Sequence, residues 1–80
     1  MSLSDVAILD FLARELDVDC SLIDESTPLI SGGYIDSFAV LQFVEFIESS
    51  TDIKVAADEV KLENLDSIKM VRAFVARKTV

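Results

Sequence analysis

The chain has no histidine and no tryptophan, one cysteine, one proline and two glycines. Each scarcity excludes something. Without histidine, the commonest general base near neutral pH and the commonest metal ligand are both missing, so the sequence points away from an enzyme. A hydrolase built on one of its serines would lack an obvious group to activate the hydroxyl. Cys20 alone makes no internal disulfide, so stability must come from helix packing, which suits a reducing compartment. Breakers this sparse in a chain that is 51% hydrophobic exclude a disordered tail. No apolar run approaches the ~20 residues of a membrane span, and no basic start leads into an apolar stretch as in a signal peptide. The expectation is a soluble, cytoplasmic, monomeric protein. Basic residues are also few, 7 against 15 acidic, for a net charge of −8. That charge repels phosphate backbones and anionic bilayers, so nucleic acid binding and membrane insertion are not expected. It suits partners with basic docking surfaces, and it also suits plain solubility.

What is present is helical periodicity. Eighty residues allow one core, hence a single domain over residues 1–80. From about Leu3 to Leu16, the residues Val6, Leu9, Leu12, Ala13 and Leu16 recur at helical spacing, with Ser4, or Ser2 paired with Asp5, available as a cap. Periodicity lapses from Asp17 to Ile35, where Pro28, Gly32 and Gly33 mark a long loop. Leu22, Ile23, Leu29 and Ile30 are its candidate anchors to the core. The acids Asp17, Asp19, Asp24 and Glu25 in this loop lack the glycine and glutamate positions of a calcium-binding EF-hand and read as a solvated stretch. A second helix starts at Asp36 or Ser37 and runs to about Ser50. It is apolar almost all round, so it is either deeply buried or keeps part of its apolar surface for another protein. A mixed connector follows, with up to two turns of helix around Ala56–Leu62. The last helix, with Asp66 as its expected cap, carries Ile68, Val71, Phe74 and Val75 on one face and basic residues toward its C-terminus. The predicted fold is all-α, a small four-helix bundle with three main helices and one short one.

The most informative segment is Gly32-Gly33-Tyr34-Ile35-Asp36-Ser37-Phe38, a turn that delivers a serine to the start of a very apolar helix. The free amides and dipole of a helix N-terminus tolerate an anion on Ser37. Taken alone, Asp36-Ser37 also fits a plain helix cap. Asp66-Ser67-Ile68 carries nearly the same letters but lacks the Gly-Gly turn and the long following helix, so it reads as a cap.

From end to end, this order of glycine, hydrophobe, Asp-Ser, apolar helix, short acidic connector and final helix resembles the acyl carrier protein family, of the discrete stand-alone type. The resemblance covers nearly all 80 residues. It implies that a phosphopantetheinyl transferase, using coenzyme A and magnesium, attaches 4′-phosphopantetheine covalently to Ser37, with Asp36 assisting the modification and no resident metal. It implies partners that load an acyl or aminoacyl group as a thioester, such as a ligase, and downstream acyl-processing enzymes. The protein itself then catalyses nothing. Family carriers dock through the second helix, which here makes Phe38, Leu41, Glu45 and Glu48 the candidate docking residues. Phe38 after the serine points away from a nonribosomal-peptide module, and few acids on this helix point to a specialised lipid or secondary-metabolite pathway, such as a fatty-acid or polyketide route. The alternative from another class is an unmodified acidic helical protein-interaction module.

Overall fold

The protein is described as a computed structural model over residues 4–78. Its α-helices are α1 (Asp5–Glu15), α2 (Ser37–Thr51), α3 (Leu62–Leu65) and α4 (Ile68–Lys78), with single 3₁₀ turns at Cys20–Leu22 and Ala57–Glu59. No strand occurs among the described residues. The fold is the predicted small helical bundle, three main helices and one short one.

Each of the three long helices begins where a side chain can take up an orphan amide. Ser4 Oγ accepts the Ala7 N–H at 3.1 Å and opens α1. Ser2 and Leu3, the other residues expected at this start, lie outside the described residues. Asp36 Oδ1 accepts the Ala39 N–H at 2.8 Å and opens α2. The last helix departs from expectation. Its cap is Ser67, whose Oγ accepts the Met70 N–H at 3.1 Å, while the Asp66 carboxylate turns away to the long loop. A serine hydroxyl suffices for one helix amide, whereas three donors of the loop converge on the carboxylate.

The core is shared by all three long helices and the loop. Ile8 and Leu12 of α1, Phe43 and Ile47 of α2, Val71 of α4, and Leu29 and Leu65 are wholly buried. Phe11 stacks on Phe46 with ring centroids 4.3 Å apart, and on Phe43 at 6.0 Å, joining α1 to α2. Of the expected stripe of α1, Leu12 is buried and Leu9 and Leu16 pack against the core, whereas Val6 and Ala13 face solvent and Ile8 and Phe11 turn inward instead. Ile8 and Phe11 bury more apolar area than Val6 and Ala13 would, so the inward face is centred on them and Leu12. Ile68, Val71, Phe74 and Val75 form the buried face of α4, as their spacing predicts. In the loop, Leu29 is buried and Ile23 and Ile30 half-buried, but Leu22 is exposed. Three residues per turn place Cys20 and Ile23 on the same side of their 3₁₀ turn and leave Leu22 on another. Burial, and then the neighbouring Asp19 charge, push the Cys20 thiol's pKa up, and Sγ–H donates to the Leu9 carbonyl at 3.3 Å.

The buried polar residues Thr51, Asn64 and Ser67 all have hydrogen-bond partners. Thr51 Oγ1 donates to the Ile47 carbonyl at 2.6 Å. Asn64 donates to the Glu59 carbonyl at 2.9 Å and accepts from Arg77 at 3.0 Å. Arg72 reaches Glu25 at 2.6 Å and lies 3.1 Å from Asp5, bringing α1, the loop and α4 together at the surface. The Asp5 contact lacks hydrogen-bond geometry and is coulombic only. Pairs this exposed are worth about 0–1 kcal/mol each.

Helix α2 ends at Asp52, a non-glycine residue in the left-handed region with φ 62°. A carboxylate there also opposes the helix dipole. Asp52→Gly relieves both strains and adds freedom to the unfolded chain. A net gain of about 0.5 kcal/mol in urea unfolding is expected; equal or lower stability refutes this account of the C-terminus.

Candidate functional site

Ser37 is the first residue of α2, and both it and Asp36 are exposed. The Ala39 amide goes to Asp36 Oδ1 and the Val40 amide to the Asp36 carbonyl at 2.9 Å. This leaves the Ser37 and Phe38 amides without a partner among the described residues, and the Ser37 hydroxyl makes no side-chain hydrogen bond there. The competing serine is different: Ser67 is 4% exposed and its hydroxyl caps α4. Only the first of the two Asp-Ser pairs offers a free hydroxyl to another molecule.

The two glycines before the site are needed for separate reasons. Gly33 has φ +84°, in the left-handed region, and a Cβ on Gly32 would collide with the Pro28 carbonyl oxygen. The Leu29 carbonyl accepts both the Tyr34 N–H at 2.9 Å and the Ile35 N–H at 3.0 Å, closing residues 29–35 into a tight loop. Ile35, 4% exposed, anchors its exit immediately before Asp36 and Ser37.

Beside Ser37 lies an open groove of about 520 Å³. One wall is Ile30, Ile35, Val40 and Leu41, and the other is Val60, Leu62 and Leu65 with Lys61. The walls are aliphatic, and Asp36 and Ser37 belong to the same lining. The turns of helix expected around Ala56–Leu62 are found as a 3₁₀ turn at Ala57–Glu59 and, further on, the Leu62–Leu65 turn, and no periodic pattern marked Val60, Leu62 and Leu65 as the far wall.

The docking candidates are divided by the structure. Ser37, Leu41 and Glu45 succeed one another at intervals of four on one exposed face of α2. Phe38 is 81% exposed and Leu41 59%, and Leu62 across the groove is 50% exposed. Large apolar side chains rarely stand so free when grouped. Glu45 also lines a second groove of about 480 Å³ between α1 and α2, with Glu15 and the Phe11–Phe46 stack. Glu48 is half-buried and turned back on its own chain, its Oε2 accepting the Val55 N–H at 2.8 Å. That bond orders the connector leading to α3.

Asp66, expected only as a helix cap, supports the loop. Its Oδ1 accepts the Ile30 and Ser31 N–H groups at 2.8 and 2.9 Å, and Oδ2 accepts the Ser31 hydroxyl at 2.6 Å. Burial alone raises its pKa, but the hydrogen bonds from Ser31 and Ile30 outweigh it and hold the carboxyl below the usual range.

Comparison with known families matches no family model to this chain. Comparison with curated proteins gives no significant match.

Substitutions at the glycines should separate their roles. Gly33→Ala is expected to lose about 1 kcal/mol for left-handed backbone, and Gly32→Ala about 1–3 kcal/mol because backbone must shift; denaturant midpoints in the reverse order contradict the loop geometry. A second expectation concerns pH. Because the folded Asp66 carboxyl lies below its unfolded pKa of ~3.9, its contribution is complete above about pH 5 and is lost as pH falls through the folded value. The stability gap between the wild type and Asp66→Asn should therefore shrink with acidification from about pH 5 to 2, and a constant gap overturns this assignment.

Proposed function

We propose that the protein is a carrier that bears 4′-phosphopantetheine on Ser37 and presents an acyl or aminoacyl group to partner enzymes. The observation that supports this most is the free, exposed hydroxyl of Ser37 at the N-terminus of α2, bordered by an aliphatic groove. The second Asp-Ser pair, with its buried hydroxyl, offers no comparable site.

The residues present fit the group. A phosphodiester on Ser37 Oγ lies beside the unpartnered Ser37 and Phe38 amides and the positive end of the α2 dipole, which offset the nearby Asp36 charge. Asp36 uses Oδ1 as the helix cap, and its second oxygen is available to a magnesium ion brought with coenzyme A during modification. In that modification Ser37 Oγ forms a new bond to phosphorus, the nucleotide portion of coenzyme A leaves, and the hydroxyl proton passes to a base of the transferase. When attached, the arm supplies a terminal thiol that holds the cargo as a thioester. The chain's own contribution is presentation. Phe38, Leu41 and Leu62 give a partner an apolar footing around Ser37, and Glu45 with the overall charge of −8 favours basic surfaces.

Partners of this kind are a phosphopantetheinyl transferase, a loading ligase and acyl-processing enzymes of a specialised lipid or secondary-metabolite pathway, with a monomeric carrier in the cytoplasm. Among the described residues no helix is long and apolar enough to cross a membrane. The same exposed Phe38 and Leu41 also favour a second reading, an unmodified module that binds a partner through α2.

Intact-protein mass after incubation with coenzyme A, magnesium and a broad-specificity phosphopantetheinyl transferase separates the two. One phosphopantetheine group mapped to Ser37, and none on Ser37→Ala, is the expected result. A folded, unmodified wild-type chain that several transferases leave unchanged excludes the carrier and favours the module.

A further inference from the structure

We propose that Asp66 is the positioning residue of the Ser37 site, its carboxylate holding the 29–31 segment so that the next turn delivers Ser37 in one geometry. The functional consequence rests on the carrier reading; the positioning itself does not.

The carboxylate's hydrogen bonds all go to the loop. Oδ1 accepts from the Ile30 and Ser31 amides, Oδ2 accepts from the Ser31 hydroxyl, and the Asp66 carbonyl accepts from the Leu29 amide. None goes to α4, which Ser67 caps. Carboxylate bonds of this kind are stronger than neutral ones. From there the connection to Ser37 is short. The Leu29 carbonyl holds the Tyr34 and Ile35 amides, the Ile30 carbonyl holds the Gly33 amide at 3.1 Å, and Ile35 leads directly into the Asp36 cap. The loop from 29 to 35 is thus one closed unit hung on Asp66. Because Ile30 and Leu65 stand on the two walls of the groove, and Asp66 directly follows Leu65, the same bonds set the spacing of the groove beside Ser37. Asp66 is half-buried and is not one of the core residues, so its removal opens no cavity in the core.

The test has two readouts. On the unmodified chain, backbone ¹⁵N order parameters at Asp36 and Ser37 should be near ~0.85 in the wild type and fall below ~0.6 in Asp66→Ala. Amide exchange at Ile30 and Ser31 should quicken about tenfold while α4 amides stay unchanged. Asp66→Asn, which keeps an acceptor for both amides, should restore most of the order. In the transferase reaction, Asp66→Ala should raise KM for the carrier about tenfold and leave kcat within about twofold, because only the ordered fraction binds. Unchanged order parameters overturn the proposal, as does an unchanged KM in a variant whose loop has loosened. If the wild type takes up no arm, the carrier reading fails and the order parameters alone decide the positioning. If Asp66→Ala does not fold, Ser31→Ala removes only the exposed 2.6 Å bond and should move the same quantities about twofold; no movement counts against the proposal.

Discussion

The seam between residues 29–31 and Asp66 joins the two halves of the chain, and the organisation of the site follows from it. Residues 16–36 hold only one 3₁₀ turn, at Cys20–Leu22. Ordering backbone opposes folding by about 1–2 kcal/mol per residue. With a single cysteine, no internal crosslink offsets that. Two devices do so here. Leu29 is buried without residual exposure, and beside it the backbone donors of Leu29, Ile30 and Ser31 are all taken up by Asp66. Apolar burial places the segment, the Asp66 carbonyl takes the amide that burial of Leu29 would otherwise strand, and the carboxylate takes those of Ile30 and Ser31.

Helix α2 then has to serve two purposes, because a chain this small has one core. Val40, Phe43, Val44, Ile47 and Thr51 face inward, while Ser37, Phe38, Leu41 and Glu45 face out. The sequence is apolar on both sides, so hydrophobicity alone does not separate them. The difference is made by what stands opposite. The inward side meets α1, α4 and the Leu29 loop, whereas the outward side borders an open groove whose other wall is the short α3 segment. An exposed apolar side is tolerable in a chain with a net charge of −8, which opposes self-association.

The tertiary structure separates two segments that the sequence makes nearly equivalent. The two Asp-Ser pairs are nearly alike in letters. Ser37 ends exposed beside free helix amides, and Ser67 ends buried as a cap. Asp36 and Asp66 diverge in the same way, one capping its helix and the other reaching back to the loop.

Local chemistry was legible directly. Helical spacing and capping act within a few residues, so the extent of α2, the Asp36 cap and the buried face of α4 could be read from the chain. Gly-Gly before Ile35 marked the turn for the same reason. Tertiary structure alone decided the rest. Where on α1 the inward face is centred depends on what α2 presents. Leu22 is left in solvent by the phase of a 3₁₀ turn, and Glu48 is drawn to Val55 because the connector doubles back. The Asp66 partnership spans 35 residues to Ser31, and the groove beside Ser37 needs a wall from the non-periodic connector. No local pattern encodes these, since they arise from which surfaces meet once the helices pack.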